Sequence, residues 1–407
     1  MKVAVLSRSD ASGGGAGRVA DELSAGLRGA GHRVLRVYRK GEPAGNRETV
    51  LLPALRGEQG LRQTFGVDLA AAPLLLLLAR HGVELVHFHD HHMAFGLRTA
   101  QAIAERLPTC FTFHDYTGFT GGCLYPGACS RFERGCGSCP ETGRGAQPAQ
   151  LDRSAATWDA NRRFGATAGV VGISPSAHFA ELAARGAWFG RKVEVIPNGV
   201  DTATFSPLLR AASRAAEGVG ASERVLLFVA AQLGDPRKGL SDLCKALAPR
   251  FAQDPALTLW LVGGEDRLPA ELELLGAKAR RFGRIGSKAR LAELYAAADL
   301  FLLPSHEDNL PCTAVEALSC GTPVVGRPVG GIAEIFEHGR SGVLARNRTV
   351  EALGWAIDQG LTQLTDEASR CAARRFAEQR FGMASFVARH EAVYERAKSE
   401  QAHKVEP

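Results

Sequence analysis

The densest chemistry in the sequence lies between Pro304 and Val325, which reads Pro304-Ser305-His306-Glu307-Asp308-Asn309-Leu310-Pro311-Cys312-Thr313-Ala314-Val315-Glu316 and continues to Gly321-Thr322-Pro323. An apolar run ends in an acidic loop, a helix begins near Pro311, and Glu316 falls on its first turns, eight residues beyond Asp308. Carboxylates so placed can each accept hydrogen bonds from sugar hydroxyls, while helix-terminal amides from Leu310 to Thr313 favour a phosphate. The plainer reading makes Asp308 a helix cap and Glu316 a surface residue. Two glycine turns add to this. Gly234-Asp235-Pro236-Arg237-Lys238-Gly239 carries adjacent cations able to grip a diphosphate. Ser12-Gly13-Gly14-Gly15-Ala16-Gly17-Arg18 offers backbone amides to a phosphate. It is not the dinucleotide fingerprint, because glycines at 13 and 15 require another at 18, where Arg stands, and no Gly-Lys-Ser/Thr P-loop is present.

Four of the nine cysteines, Cys123, Cys129, Cys136 and Cys139, fall within 17 residues. A Cys-x2-Cys knuckle with two further thiols suits tetrahedral structural zinc; reduced thiols, disulfides or a cluster remain open. His87-Phe88-His89-Asp90-His91-His92 is rich in imidazoles, yet alternate residues of a strand face opposite ways. The expectation is a strand end with one histidine at a ligand. From Leu23 to Gly41 no acidic residue occurs among Arg28, Arg33, Arg36, Arg39 and Lys40, which reads as solvated surface or as an attraction to anionic membrane.

The elements that must position these residues follow from pattern. A chain of 407 residues predicts two or three domains. With 45% hydrophobic and 23% charged residues, wholesale disorder and a membrane-spanning bundle are both disfavoured. A net charge of +6 suits phosphate-bearing ligands and is too small to argue for nucleic acid. Glycine is frequent, at 46 residues, which points to many strand-to-helix turns. Met1 runs directly into an apolar strand without secretory-signal features, so the cytoplasm is the expected compartment, with peripheral contact at the inner membrane face. The longest apolar run, Leu69 to Ala79, is 11 residues and contains Pro73, which reads as a buried helix and not a membrane span.

Short aliphatic runs recur at Val3–Leu6, Val34–Tyr38, Leu85–Phe88, Cys110–Phe113, Gly169–Ile173 and Val193–Ile196, each followed by helical spacing. The pattern restarts at Val225–Val229, Leu257–Val262, Phe282–Ile285, Leu300–Leu303, Thr322–Val325 and Gly342–Leu344, after a strandless stretch from Leu208 to Glu223 that reads as a linker or peripheral helix. Such runs are parallel strands covered on both faces, so the fold class is α/β with two doubly wound sheets. The expected domains are 1–205, completed by a returning helix at 383–400, and 206–382.

Taken in order, several segments resemble the retaining GT-B glycosyltransferases of the family-4 type over nearly the whole chain. They are the first glycine turn, Ile196-Pro197-Asn198-Gly199-Val200-Asp201 with Phe205, Lys238-Gly239, Leu261-Val262-Gly263-Gly264, the Tyr295–Asp299 segment and Pro304–Val325. The resemblance implies two Rossmann-like domains facing across a cleft. It also implies transfer of a sugar from a UDP- or GDP-sugar to a saccharide or lipid-linked acceptor in polysaccharide or glycoconjugate biosynthesis, with no cofactor needed for catalysis. The C-terminal half would bind the donor and the N-terminal half the acceptor. Arg237 or Lys238 would neutralise the diphosphate, Glu316 hold the ribose, and Gly14 and Gly15 meet a phosphate or the reacting sugar. Asp308, with backbone at Asn309 and Leu310, would hold donor-sugar hydroxyls, and His114 would face that sugar. Gly263 and Arg284 fall on the donor side, where backbone near Phe282–Arg284 would read the base.

Two departures stand out. The family's acidic pair is usually two glutamates, where this chain has Asp308 with Glu307 out of register, and its Arg-Leu pair is here Gln232-Leu233, a missing charge that Arg237 is expected to replace. No glycosidase-like nucleophilic carboxylate is evident in the N-terminal half. Front-face displacement, in which the leaving diphosphate takes the acceptor proton, is therefore favoured. An epimerase or phosphorylase on the same architecture and a non-catalytic sugar-nucleotide sensor are the alternatives.

Overall fold

The computed structural model describes residues 1–42, 48–53, 69–89, 94–140 and 152–402. It divides into two compact units, Met1–Pro197 with Ala384–Pro407, and Asn198–Met383.

In the first unit, β1 (Lys2–Ser9), α1 (Gly15–Gly29), β2 (Arg33–Lys40), β3 (Thr49–Leu51), α2 (Ala71–His81), β4 (Leu85–Phe88), α3 (Leu97–Ala104), β5 (Thr109–Thr112), α4 (Ser154–Ala166), β6 (Val170–Ser174), α5 (Ala177–Arg185) and β7 (Val193–Val195) alternate. The strands form one parallel sheet in the order β3-β2-β1-β4-β5-β6-β7. Val3 to Leu6 are fully buried because helices cover both faces, which is why the strand shows no polar alternation. β3 escapes the sequence reading because its three residues, Thr49 to Leu51, are too short to show a period. α2 is a helix as expected, but only Leu74 and Leu78 are buried along it and Leu76 is 54% exposed. An 11-residue apolar run therefore contributes a single stripe to the core.

The second unit contains α6 (Arg210–Ala216), β8 (Arg224–Gln232), α7 (Leu240–Gln253), β9 (Leu257–Gly264), β10 (Ala279–Arg281), α8 (Lys288–Ala297), β11 (Leu300–Leu303), α9 (Cys312–Ser319), β12 (Val324–Gly326), β13 (Gly342–Leu344), α10 (Val350–Gln363) and α11 (Glu367–Phe381). Its parallel sheet runs β10-β9-β8-β11-β12-β13. The unit begins at Asn198, earlier than the expected 206, because Val200 and Phe205 pack into its core and the Val200 amide donates to the Phe381 carbonyl at 2.8 Å. The stretch from Leu208 contains the peripheral helix α6, whose Arg210 and Arg214 bind Asp299 and the carbonyls of Ala297 and Ala298. β10 lies three residues before the expected strand at Phe282–Ile285. Gly283, with φ +66°, ends the ladder there, and Phe282 packs its ring on Trp260.

The last helix, α12 (Met383–Ala402), returns to the first unit. His32 and Glu391 pair at 2.6 Å, Arg396 reaches Glu194 at 3.0 Å, and Tyr394 is fully buried. Among the described residues, no helix is long and apolar enough to cross a membrane.

Candidate active site

In the second unit the winding direction of the sheet reverses between β8 and β11, the place where open α/β sheets bind ligands at the carboxyl ends of their strands. The turn after β8 and the loop after β11 meet there. Asp235 opens the turn by accepting the Arg237 amide at 3.0 Å, and the Arg237 carbonyl accepts the His306 amide at 2.8 Å. Gly239 closes the turn at φ +76°, and a Cβ on it would stand 2.2 Å from the Pro304 carbonyl oxygen; only glycine lets the two segments lie this close.

The side chains converge on Asp308, which is 8% exposed. Lys238 Nζ lies 2.6 Å from its Oδ2, Ser305 Oγ donates to the same oxygen at 3.1 Å, and Arg237 Nη1 stands 3.8 Å away. Arg237 also donates to the Glu307 carbonyl at 3.0 Å and binds Asp235 at 3.1 Å. The plainer role for Asp308 is thus not the one it has: α9 is entered through Pro311 with no side-chain cap, and Asp308 is a buried, ion-paired carboxylate. The backbone that follows is fixed from two sides. The Asn309 carbonyl accepts the Gly331 amide at 2.9 Å, and the Leu310 carbonyl accepts Asn198 Nδ2 at 3.1 Å.

Glu316 is not a surface residue either. It is 3% exposed and accepts the Tyr295 hydroxyl at 3.0 Å, so its carboxylate is oriented by a ring that belongs to the core. Gly263, at the end of β9, donates to the Gly283 carbonyl at 2.9 Å. Arg284 Nη2 lies 3.4 Å from the Ala231 carbonyl and 3.1 Å from the Gln232 amide oxygen, in the amide orientation that also satisfies Gly264. The cation beside Gln232 is therefore Arg284, and Arg237 is turned toward Asp235 and Glu307 instead. The sequence could not show this, because Arg284 is 52 residues away in the chain.

One supporting residue escaped the sequence reading. Arg327, fully buried, donates to Asp242 at 2.7 Å, to the Pro304 carbonyl at 3.1 Å and to His306 Nδ1 at 3.3 Å. Burial, and then the Arg327 charge, lower the His306 pKa. A guanidinium beneath a strand end holds the loop that carries Asp308, and its only sequence signal is an arginine inside an apolar context.

In the first unit the reversal lies between β1 and β4. A Cβ on Gly14 or Gly15 would meet nothing within 4 Å, so both face open space, while Gly13 and Gly17 pack against Ser9 and Asp10. Under this loop Arg36 donates to Ser7 Oγ at 2.6 Å, to the Ser9 carbonyl at 3.0 Å and to Asp21 at 2.6 Å. Arg36 is 2% and Arg39 9% exposed, so two of the five cations read as a basic face are internal. His114, half-buried past the end of β5, pairs its Nε2 with Nδ1 of His89 at 2.9 Å. His87 is buried between the Tyr394 hydroxyl at 2.7 Å and Thr112 at 2.8 Å. His91 and His92 lie outside the described residues.

Cys123, Cys129, Cys136 and Cys139 line one open pocket, and none of the four is in a disulfide. Burial pushes the Cys136 thiol up to about 11, toward its protonated form. Among the described residues no three His, Cys, Asp or Glu side chains are arranged to hold a metal ion. The loop backbone is held by side chains: Arg131 binds the Gly137 and Ser138 carbonyls, the Gly137 amide donates to Ser154, and the Cys139 amide donates to Asp152.

Two parallel-sheet Rossmann-like units, each with its glycine turn at a strand end, define the GT-B class. The sequence matches the profile of Glycosyltransferase Family 4 over residues 13–204 and that of Glycosyl transferases group 1 over residues 223–363, and the chain belongs to these glycosyltransferase families. It is 37% identical over 162 residues to a D-inositol 3-phosphate glycosyltransferase of Segniliparus rotundus, covering 38% of this chain and 36% of that one. The chain spans between about a third and about a half of the curated relatives it matches. Sucrose-phosphate synthase from Thermosynechococcus elongatus superposes with a TM-score of 0.73 at 21% identity, covering 97% of this chain and 98% of that one. Anabaena HepE in complex with UDP-glucose superposes with a TM-score of 0.66 at 20% identity, covering 98% and 100%.

Proposed function

We propose that this protein is a retaining glycosyltransferase that moves a sugar from a nucleotide-sugar donor to a hydroxyl of a saccharide or lipid-linked saccharide acceptor. One observation carries the reading: Lys238 and Arg237 stand over the buried Asp308 carboxylate at the carboxyl ends of β8 and β11, with Glu316 buried nearby in sequence and oriented by Tyr295. A UDP-sugar is the donor to test first, since HepE was solved with UDP-glucose. Phosphorylated polyols belong in the acceptor panel, given the inositol-phosphate transferases among the relatives.

Each residue then has a task. Lys238 and Arg237 stabilise the negative charge that grows on the diphosphate as the glycosidic bond breaks, which is the largest contribution a protein makes to such a step. Asp308 accepts sugar hydroxyls, and the backbone at Asn309 and Leu310 completes that contact. Glu316 accepts the ribose hydroxyls. The departing diphosphate oxygen takes the acceptor proton on the face where the new bond forms, so configuration is kept without an enzyme nucleophile.

The test is release of nucleoside diphosphate with and without acceptor. Acceptor-dependent release supports transfer; release without acceptor but with an altered sugar supports an epimerase, and binding without turnover supports a sensor. In the same assay Lys238→Ala is expected to lower kcat by about 10²–10³-fold, the range for loss of one charge-stabilising group. Turnover within threefold of wild type removes Lys238 from the reaction.

A further inference from the structure

We propose that His89 is a positioning residue that fixes His114 as the neutral tautomer carrying its proton on Nδ1, so that His114 presents a hydrogen-bond donor to the substrate. The inference deepens the transferase reading and rests on His114 facing the donor sugar.

The contact between the two rings settles the proton's place. His89 Nδ1 and His114 Nε2 are 2.9 Å apart and the rings are stacked, 22° from parallel. Only one hydrogen occupies that line, so one nitrogen donates and the other accepts. If His114 donated, the proton of neutral His89 would sit on Nε2, which is buried and has no partner among the described residues. Orphaned buried N–H groups are rare and costly. If His89 donates from Nδ1, its Nε2 is left as a bare lone pair and no N–H is stranded. His114 then accepts at Nε2 and carries its own proton on Nδ1.

The surroundings keep both rings neutral. Burial first, and then the neighbouring His390, lower the His114 pKa to about 4, and burial pushes His89 well below its ordinary value. The His87 ring, 4.4 Å from His89 by centroid, is held at both nitrogens by Tyr394 and Thr112, so neither of its nitrogens is left to rescue His89 Nε2. A neutral imidazole donating from Nδ1 binds a hydroxyl or ring oxygen; one accepting at Nδ1 would bind only a hydroxyl or amide proton.

The experiment is histidine ¹⁵N NMR on the full chain, with His114 assigned by loss of its signals in His114→Ala. A protonated-type Nδ1 and a bare-type Nε2 on His114 at neutral pH are expected. A protonated Nε2 overturns the inference. Two variants add function: His89→Leu removes the donor, and His89→Asn keeps an amide N–H near the place of Nδ1. His89→Leu is expected to lower kcat about tenfold with KM moved less than threefold, the scale of one misplaced hydrogen bond. His89→Asn is expected to restore both the tautomer signature and most of the rate. Equal loss in both variants overturns the positioning role. If instead the tautomer is as stated and His114→Ala turns over normally, it is the sugar contact of His114 that falls, and the tautomer assignment stands.

Discussion

Replacing Gly330 by alanine tests how tightly the loop carrying Asp308 must be held. Gly330 has φ +53°, and a Cβ there would lie 1.6 Å from the Asp308 carbonyl oxygen, a covalent distance. Real Cβ atoms are essentially never nearer than 3.0 Å to such an atom, so backbone must part from 1.6 to at least 3.0 Å, a movement of about 1.4 Å. Misplacing a reacting or positioning group by about 1 Å costs on the order of 10²-fold in rate. Gly339→Ala is the control, because Gly339 has φ +77° with nothing within 4 Å. Both variants carry the left-handed penalty of about 1–2 kcal/mol, which lowers Tm by roughly 2–8 °C for a unit of this size. Only Gly330→Ala is expected to lose about 10²-fold in kcat/KM for the nucleotide sugar. The readout is steady-state kinetics beside calorimetry. Equal kcat/KM in the two variants would refute the reasoning, since it would show that the contact with Asp308 does not place the carboxylate.

Three further outcomes are expected. Glu316→Gln keeps the shape and the Tyr295 contact but removes the charge, so calorimetric affinity for the nucleoside diphosphate is expected to weaken about tenfold with little change in Tm; affinity within twofold removes the ribose role. Arg36→Met leaves Ser7 and the Ser9 carbonyl without their donor inside the first unit and unpairs Asp21, a carboxylate 34% exposed, and is expected to cost about 1–3 kcal/mol by urea unfolding, against under about 1 kcal/mol for an exposed arginine such as Arg134. Stability of the first unit is expected to fall as pH drops from about 6.5 to about 4: His114 and His390 are held down to about 4 by burial, so the unfolded chain binds protons first, and the slope reaches about 1.4 kcal/mol per pH unit for each group. A flat calorimetric Tm through that window would show that the imidazoles are hydrated.

Both sheets were legible in the sequence because buried parallel strands are continuous aliphatic runs, and Val3–Leu6 or Leu300–Leu303 admit few other readings. What escaped was set by packing and not by pattern. β10 is displaced because Gly283 stops the ladder, and the basic face is partly internal because Arg36 is satisfied by the Val5 and Ser9 carbonyls, which no local window shows. At the site, Lys238 and Asp308 were readable from their turn and loop. Arg327, Tyr295 as partner of Glu316, and Arg284 beside Gln232 were not, since each acts through a contact between segments far apart in the chain. The four cysteines were legible as a cluster, and the fold brings them to one open pocket.

The returning helix α12 sets an order of assembly. The second unit, Asn198–Met383, is complete before synthesis reaches His390 and Tyr394, whereas the first unit lacks Tyr394 against His87 until the middle of α12 has been made. During translation the earlier-made half must wait, with a gap where α12 belongs, while the later-made half folds. A stop codon placed just after Met383 would therefore spare the half to which it is adjacent in sequence and cripple the half made first.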